Sequence, residues 1–206
     1  MSRCARKSQH RDATLIVITC EGENPEIEYF ETLGKSYRNT RIQVKTLKRE
    51  EVSHSAPKHV IGELDKYKKE NKKKKGDEYW LVIDFDRWGT EKLSQIARLC
   101  NQKQYNLAVS NPLIELWLLL HLRNISTDEQ NKITSLQKDK KQYFKKEIKK
   151  ILGKSNNGNN TIEVFIPGVK NAIKRAQAMD QNYATKPWPT SLGSRVYLIA
   201  QKICGL

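Results

Sequence analysis

Over the first 120 or so residues, short apolar runs alternate with segments of helical periodicity. Thr14–Cys20 (TLIVITC) is continuously apolar and rich in β-branched residues, the pattern of a strand buried on both faces of a parallel sheet. It ends in Glu21-Gly22-Glu23, after which Asn24-Pro25 offers an N-cap and a proline for the first turn of a helix, PEIEYFETLGKSY. Arg41–Leu47 alternates and predicts a second strand. Pro57–Glu70 places Val60, Ile61, Leu64 and Tyr67 on one helical face. Glu78–Asp84 (EYWLVID) is a third buried strand, and Glu91–Gln102 carries Leu93, Ile96, Leu99 and Cys100 at helical spacing. Tyr105–Val109 predicts a fourth strand, and Ser110-Asn111-Pro112 opens the strongly apolar helix LIELWLLLHL, with Asn111 as its cap. Short strands alternating with helices imply parallel pairing through right-handed crossovers.

The pattern changes after Arg123. Residues 128–152 are polar and dense in lysine, with Leu136, Tyr143, Phe144, Ile148 and Ile151 as a thin apolar stripe. Ser155–Asn160 (SNNGNN) reads as a linker, and 167–180 and 191–204 as two more helices. These helices are too weakly apolar to stand alone. The chain therefore divides into a basic arm at 1–12, an open, mainly parallel α/β domain at 13–123, and a lysine-rich helical extension at 124–206 packed on it.

Charge adds a partner class to this picture. Lys and Arg total 38 against 23 Asp and Glu, a formal charge of +15 in 206 residues, which points to a polyanion such as nucleic acid. Lysines concentrate at 66–75 and 138–150, and Lys72, Lys73, Lys74, Lys75, Lys140, Lys141 and Lys145, with Arg87, are the candidate phosphate contacts. A single lysine run is usually a solvated helix face, but two runs with few compensating acids favour phosphate binding. Trp88, Tyr143, Phe144 and Trp188 are candidates for base stacking, whereas Trp117 reads as core. No run of eighteen apolar residues is present, which excludes a membrane span, and the N-terminus lacks the apolar stretch of a signal peptide. The four cysteines, Cys4, Cys20, Cys100 and Cys204, form no paired motif, which argues for thiols in a cytoplasmic protein and against a zinc site.

The acidic residues sit where the fold would use them. Ligands of open parallel sheets bind at the carboxyl ends of the strands. Glu21 follows the first strand, and Asp84 and Asp86 end the third. Period-two alternation would send both aspartates of the D-x-D pair to one side. Carboxylates grouped there on a basic protein are ligands for a hard cation, Mg²⁺ or Mn²⁺, able to activate water and to stabilise a phosphodiester's charge. Against this, acids at strand ends also serve as helix caps. Glu115 lies in the first turn of the apolar helix, where it either complements the helix dipole or joins the acidic group. His121, in the last turn of that helix, reads as structural, with proton transfer as the lesser reading.

Four segments carry a family resemblance. Leu15–Phe30 (LIVITCEGENPEIEYF), Val82–Gly89 (VIDFDRWG), Ser110–Leu122 (SNPLIELWLLLHL) and Thr190–Ile203 (TSLGSRVYLIAQKI) resemble successive motifs of RloB-like proteins. The resemblance implies a gene of prokaryotic restriction and phage-defence loci. The E-G and D-x-D elements are in turn similar to the metal site of Toprim-fold nucleases, including the OLD family. Carried over, Glu21 matches the Toprim glutamate, and Asp84 and Asp86 its aspartate pair. The second motif departs from that pattern, running into Arg87-Trp88 where a further aspartate is expected.

The resulting expectation is a Toprim-like, Mg²⁺-dependent nuclease of antiviral, abortive-infection defence. Glu21, Asp84 and Asp86 would hold the metal, Glu115 would assist, and lysines would hold tRNA, another RNA or DNA. A partner protein encoded in the same locus fits this setting. The alternative is a nucleic-acid-binding or sensor subunit with the fold but no chemistry. A nucleotide-binding regulator ranks last, because the first βα turn lacks a glycine-rich phosphate loop.

Overall fold

The computed structural model describes residues 13–22, 25–37, 41–48, 57–71, 74–136, 139–153 and 162–206. The basic arm and the 155–160 linker lie outside the described residues. Strands β1 (Thr14–Cys20), β2 (Ile42–Leu47), β3 (Glu78–Asp84), β4 (Asn106–Asn111) and β5 (Gly193–Ser194) form one sheet in the order β2-β1-β3-β4-β5. All pairings are parallel except β4 with β5. The fold is thus the open, mainly parallel α/β sheet that the alternating pattern implies. The two-residue β5 is an addition from the C-terminal extension: Ser110 pairs with Ser194, and their hydroxyls lie 2.7 Å apart.

Side-chain alternation divides the sheet between two layers. Ile16, Ile18, Cys20, Trp80, Val82 and Ala108 face one core, and Val17, Tyr79, Leu81, Ile83 and Val109 face the other. The second layer contains α2 (Pro57–Glu70) and α3 (Gly89–Lys103). The first contains α1 (Glu26–Ser36), α4 (Ile114–Leu122), α5 (Thr127–Ser135), α6 (Lys140–Leu152), α7 (Val169–Met179) and α8 (Val196–Cys204). A 3-10 segment, Ile162–Gly168, leads into α7.

Helix α4 is the centre of the first layer. Eight of its nine residues are buried, all apolar except Glu115 and His121, so it must be enclosed by other helices. Burying each such leucine contributes about 1.5–3 kcal/mol, which accounts for the packing of a polar extension around it. At its C-terminal end the Leu120 carbonyl accepts a 2.6 Å hydrogen bond from the Arg175 guanidinium of α7. Arg123, just past the helix, pairs with Glu129 of α5 and Glu147 of α6 and so ties three helices together.

Close approach fixes Gly168. A Cβ there would stand 2.9 Å from the His121 carbonyl carbon, against backbone that cannot rotate away. Gly168→Ala is therefore expected to destabilise the protein by about 1–3 kcal/mol. Urea denaturation checks this: the midpoint should fall with an unchanged slope.

Candidate acidic site at the switch point of the sheet

From β1 the chain moves outward to β2, then crosses back to β3 on the other side of β1. The reversal falls between β1 and β3, and the carboxyl ends of strands at such a switch point are where open α/β sheets bind ligands. Glu21 leaves β1 with its N–H still bonded to the Val82 carbonyl of β3, at 2.9 Å. Asp84 is the last residue of β3, and its N–H donates to Glu21 Oε2 at 3.3 Å. The structure therefore places Glu21 and Asp84 together on one edge. Asp86 is close enough to raise the Asp84 carboxyl, but it sits in the turn after β3, where Trp88 N–H donates to Phe85 O at 3.2 Å. Strand alternation is thus not what brings Asp86 to the site: the extended chain ends at Asp84, and the turn does the rest.

Glu115 joins from α4. It is 4% exposed, and Lys141 Nζ of α6 approaches its Oε1 at 3.6 Å, so the partner is a lysine from the extension. A fifth carboxylate, Glu26 of α1, is 8% exposed and interacts with Glu115, Glu21 and Lys141. Glu26 is not among the site residues expected from the sequence. The signal was its position in the apolar stripe with Tyr29, Phe30 and Leu33, at i, i+3, i+4 and i+7.

The cluster is electrostatically strained. Burial, then repulsion from Glu26, Glu21, Glu115 and Asp86, pushes the Asp84 carboxyl well above the usual carboxylate range. Burial and Glu21 raise Asp86, against the opposing pull of Arg87 and Lys141. Burial chiefly raises Glu26. Two buried oxygens, Glu26 Oε2 and Glu115 Oε2, have no hydrogen-bond partner. Asp84 is better served: its Oδ1 accepts the Ile114 N–H at 2.8 Å and so caps α4. Asn111, expected as that cap, is instead the last residue of β4 and donates to Pro189 O at 3.0 Å.

Gly22 makes room for Glu26. A methyl group on Gly22 would stand 2.6 Å from Glu26 Cδ, so the E-G dipeptide and the helix glutamate are matched in space. The neighbour is the far end of a flexible side chain, and it can swing away. Gly22→Ala is therefore expected to leave the melting temperature within a few degrees of wild type while displacing Glu26. A thermal melt followed by circular dichroism checks this, and a fall of more than about 5 °C would show that Glu26 cannot swing away.

The basic residues are distributed unevenly. Lys74 and Lys75 precede β3, at the opposite edge of the sheet from Asp84 and a strand length of roughly 20 Å away, so that lysine turn does not flank the acidic site. Lys72 and Lys73 lie outside the described residues. Helix α6 does flank the site: Lys141 reaches Glu115, and Lys141, Lys145 and Lys149, four residues apart, form an exposed line along it, with Lys140 half-buried beside them. Arg87 Nη1 donates to Glu21 Oε1 at 2.7 Å, and Trp88 Nε1 to Glu21 Oε2 at 2.8 Å.

Of the aromatic candidates, Phe144 and Trp188 are buried in the two cores and cannot stack on bases, because each completes an apolar surface. Tyr143 is half-buried and donates to Glu129 at 2.6 Å, which leaves Trp88 at the site. Trp117 is core, as its helix pattern predicts.

His121 is structural. Its Nδ1–H donates to the Trp117 carbonyl at 2.8 Å, so Nε2 accepts from the Tyr29 hydroxyl at 3.0 Å. Burial lowers its pKa to about 4, against 6.5 in the unfolded chain. The unfolded state thus takes up the proton first. His121 contributes stability fully above pH 6.5, and up to about 3 kcal/mol of it is lost as pH falls to 4. An imidazole NMR titration should find His121 neutral through pH 6.

Fold and site together define a class: an open α/β protein with a carboxylate cluster at the switch point of a mainly parallel sheet. Within that class the chain belongs to the RloB-like protein family, which it matches over residues 16–203. No curated protein and no solved structure matches it. Among the described residues, no helix is long and apolar enough to cross a membrane.

Proposed function

We propose that this protein is a Toprim-like, metal-dependent nuclease that cleaves RNA or DNA phosphodiesters in prokaryotic antiviral defence, acting in the cytoplasm, with a partner protein from the same locus. The observation that carries the reading is the meeting of five carboxylates beside the lysine line of α6, on a protein of charge +15. Negative charge crowded next to a phosphate path would hinder a simple binding module.

The donors suit a hard cation in chemistry: all are carboxylate oxygens, and Glu26 Oε2 and Glu115 Oε2 are buried without partners. Among the described residues, no three such side chains already stand in a metal-holding arrangement. Glu21, Asp84 and Asp86 would hold Mg²⁺ or Mn²⁺, with Glu26 and Glu115 completing the negative field. When bound, such an ion supplies water activation and charge stabilisation at phosphorus. Arg87 and the α6 lysines would orient the phosphate backbone, and Trp88 would offer a ring face at the site. A structured RNA such as tRNA suits a small enzyme of an abortive response.

A second reading, an inactive nucleic-acid-binding or sensor subunit, draws on one observation: Glu21 already accepts hydrogen bonds from three donors. Incubation with labelled tRNA, single-stranded DNA and double-stranded DNA separates the two. Cleavage of any of them only with Mg²⁺ or Mn²⁺ is the expected result. Binding that weakens log-linearly with salt, without cleavage under any cation, would favour the second reading.

A further inference from the structure

The two oxygens of Glu21 are held very differently. Oε2 accepts from Trp88 Nε1 at 2.8 Å and from the Asp84 N–H at 3.3 Å, which occupies both of its lone-pair directions. One donor is backbone and the other a half-buried indole, so Oε2 fixes the orientation of the carboxylate. Oε1 accepts from Arg87 Nη1 at 2.7 Å. That contact joins a side chain 4% exposed to one 57% exposed, so the arginine can leave while the glutamate stays.

We infer that Arg87 is an exchangeable occupant of Glu21 Oε1, given up to a phosphate of the bound polyanion, so that nucleic-acid binding opens the acidic site to a divalent cation. This rests on the metal-dependent reading above. A guanidinium on Oε1 opposes a second cation at the same oxygen, since like charges repel most strongly where water is scarce. The guanidinium fork matches a phosphate at least as well as a carboxylate, and two donors can bind it side by side. An incoming phosphate therefore competes for Arg87 and releases Oε1, still aimed by Trp88 and the Asp84 N–H. The departure in the second motif, Arg87-Trp88 in place of a further acid, then has a physical role: the tryptophan orients Glu21 and the arginine makes its availability conditional. Because coupling is reciprocal, the cation must tighten polyanion binding by the same factor.

The test is Mn²⁺ binding, read from the EPR signal of free Mn²⁺, with and without a short 2′-O-methyl RNA oligonucleotide whose own Mn²⁺ uptake is subtracted. Wild type should bind Mn²⁺ roughly tenfold more tightly with the oligonucleotide, the scale of one charge-assisted hydrogen bond. Arg87→Gln should show that gain without it and no further gain with it. Lys92→Gln removes a positive charge beside the site, 5.7 Å from the Trp88 ring centroid, without touching Glu21, and should keep the oligonucleotide response. Equal Mn²⁺ affinity in Arg87→Gln and wild type would overturn the inference, as would an equal loss of the response in Lys92→Gln, which would reduce it to charge alone. Mn²⁺ uptake by none of the proteins, with or without oligonucleotide, would instead remove the metal reading on which the inference rests.

Discussion

Asp84→Asn is expected to raise the melting temperature of the metal-free protein by roughly 2–8 °C, corresponding to about 1–2 kcal/mol. Asp84 sits among four other carboxylates, and both burial and their repulsion disfavour its charged form. Asparagine keeps an oxygen for the Ile114 N–H, removes one negative charge, and supplies an amide that can donate to the carboxylates around it. The pH dependence has a definite sign. With its folded pKa raised above the unfolded value of 3.8, Asp84 binds its proton more readily in the folded state. Its contribution therefore grows as pH falls through the raised pKa towards 4, and at neutral pH its charge costs stability. The variant should lose that component, leaving the opposite trend of His121 more visible. If the proposed cation binds there, Mn²⁺ would offset the same repulsion, and thermal scans should show wild type gaining stability with Mn²⁺ and Asp84→Asn gaining much less. A variant less stable than wild type without metal would show that Asp84 is held by interactions that favour its charge.

Asp180→Ala is expected to cost about 3–5 kcal/mol, because it leaves a buried guanidinium unpaired. Arg195, 3% exposed, opens α8, and its Nε and Nη2 donate to the two Asp180 oxygens at 2.8 and 3.1 Å. The Tyr197 hydroxyl adds a third donor at 3.1 Å. The pair fastens the end of α7 to the junction of β5 and α8, and so holds the antiparallel strand against β4. By contrast the Lys202–Glu78 pair is half exposed, and Lys202→Ala should change stability by less than about 1 kcal/mol. Paired chemical denaturation of the two variants checks the contrast. Equal effects would mean that burial does not set the worth of these ion pairs.

Much of the fold is legible because its strands are unambiguous. TLIVITC and EYWLVID are too short and too β-branched or aromatic to be helices, and their spacing dictates crossovers. Strand β5 is not legible, because Gly-Ser has no side-chain pattern and pairs only through its tertiary setting. The cap of α4 is hidden for the same reason: the local candidate Asn111 loses to Asp84, thirty residues before the Ile114 N–H it accepts, once β3 and β4 lie side by side. Glu21 and Asp84 are legible as site candidates because strand ends on a parallel sheet share one edge. The placement of the lysines depends on which edge each loop serves. The turn before β3 falls on the far edge, while α6 is brought to the site by packing of its Phe144 and Ile148 in the α4 layer, which periodicity alone does not show.

The most direct measurement is cleavage and binding of the same labelled nucleic acid by wild type and Asp84→Asn, side by side, with Mn²⁺ and with EDTA. Wild type is expected to cleave only with Mn²⁺. Asp84→Asn should bind as tightly as wild type or more so, because a negative charge near the phosphate path is gone, yet cleave at least a hundredfold more slowly, on the order expected for loss of a metal ligand. Cleavage by Asp84→Asn at the wild-type rate, or equal cleavage by wild type in EDTA, would contradict a catalytic cation at the switch point.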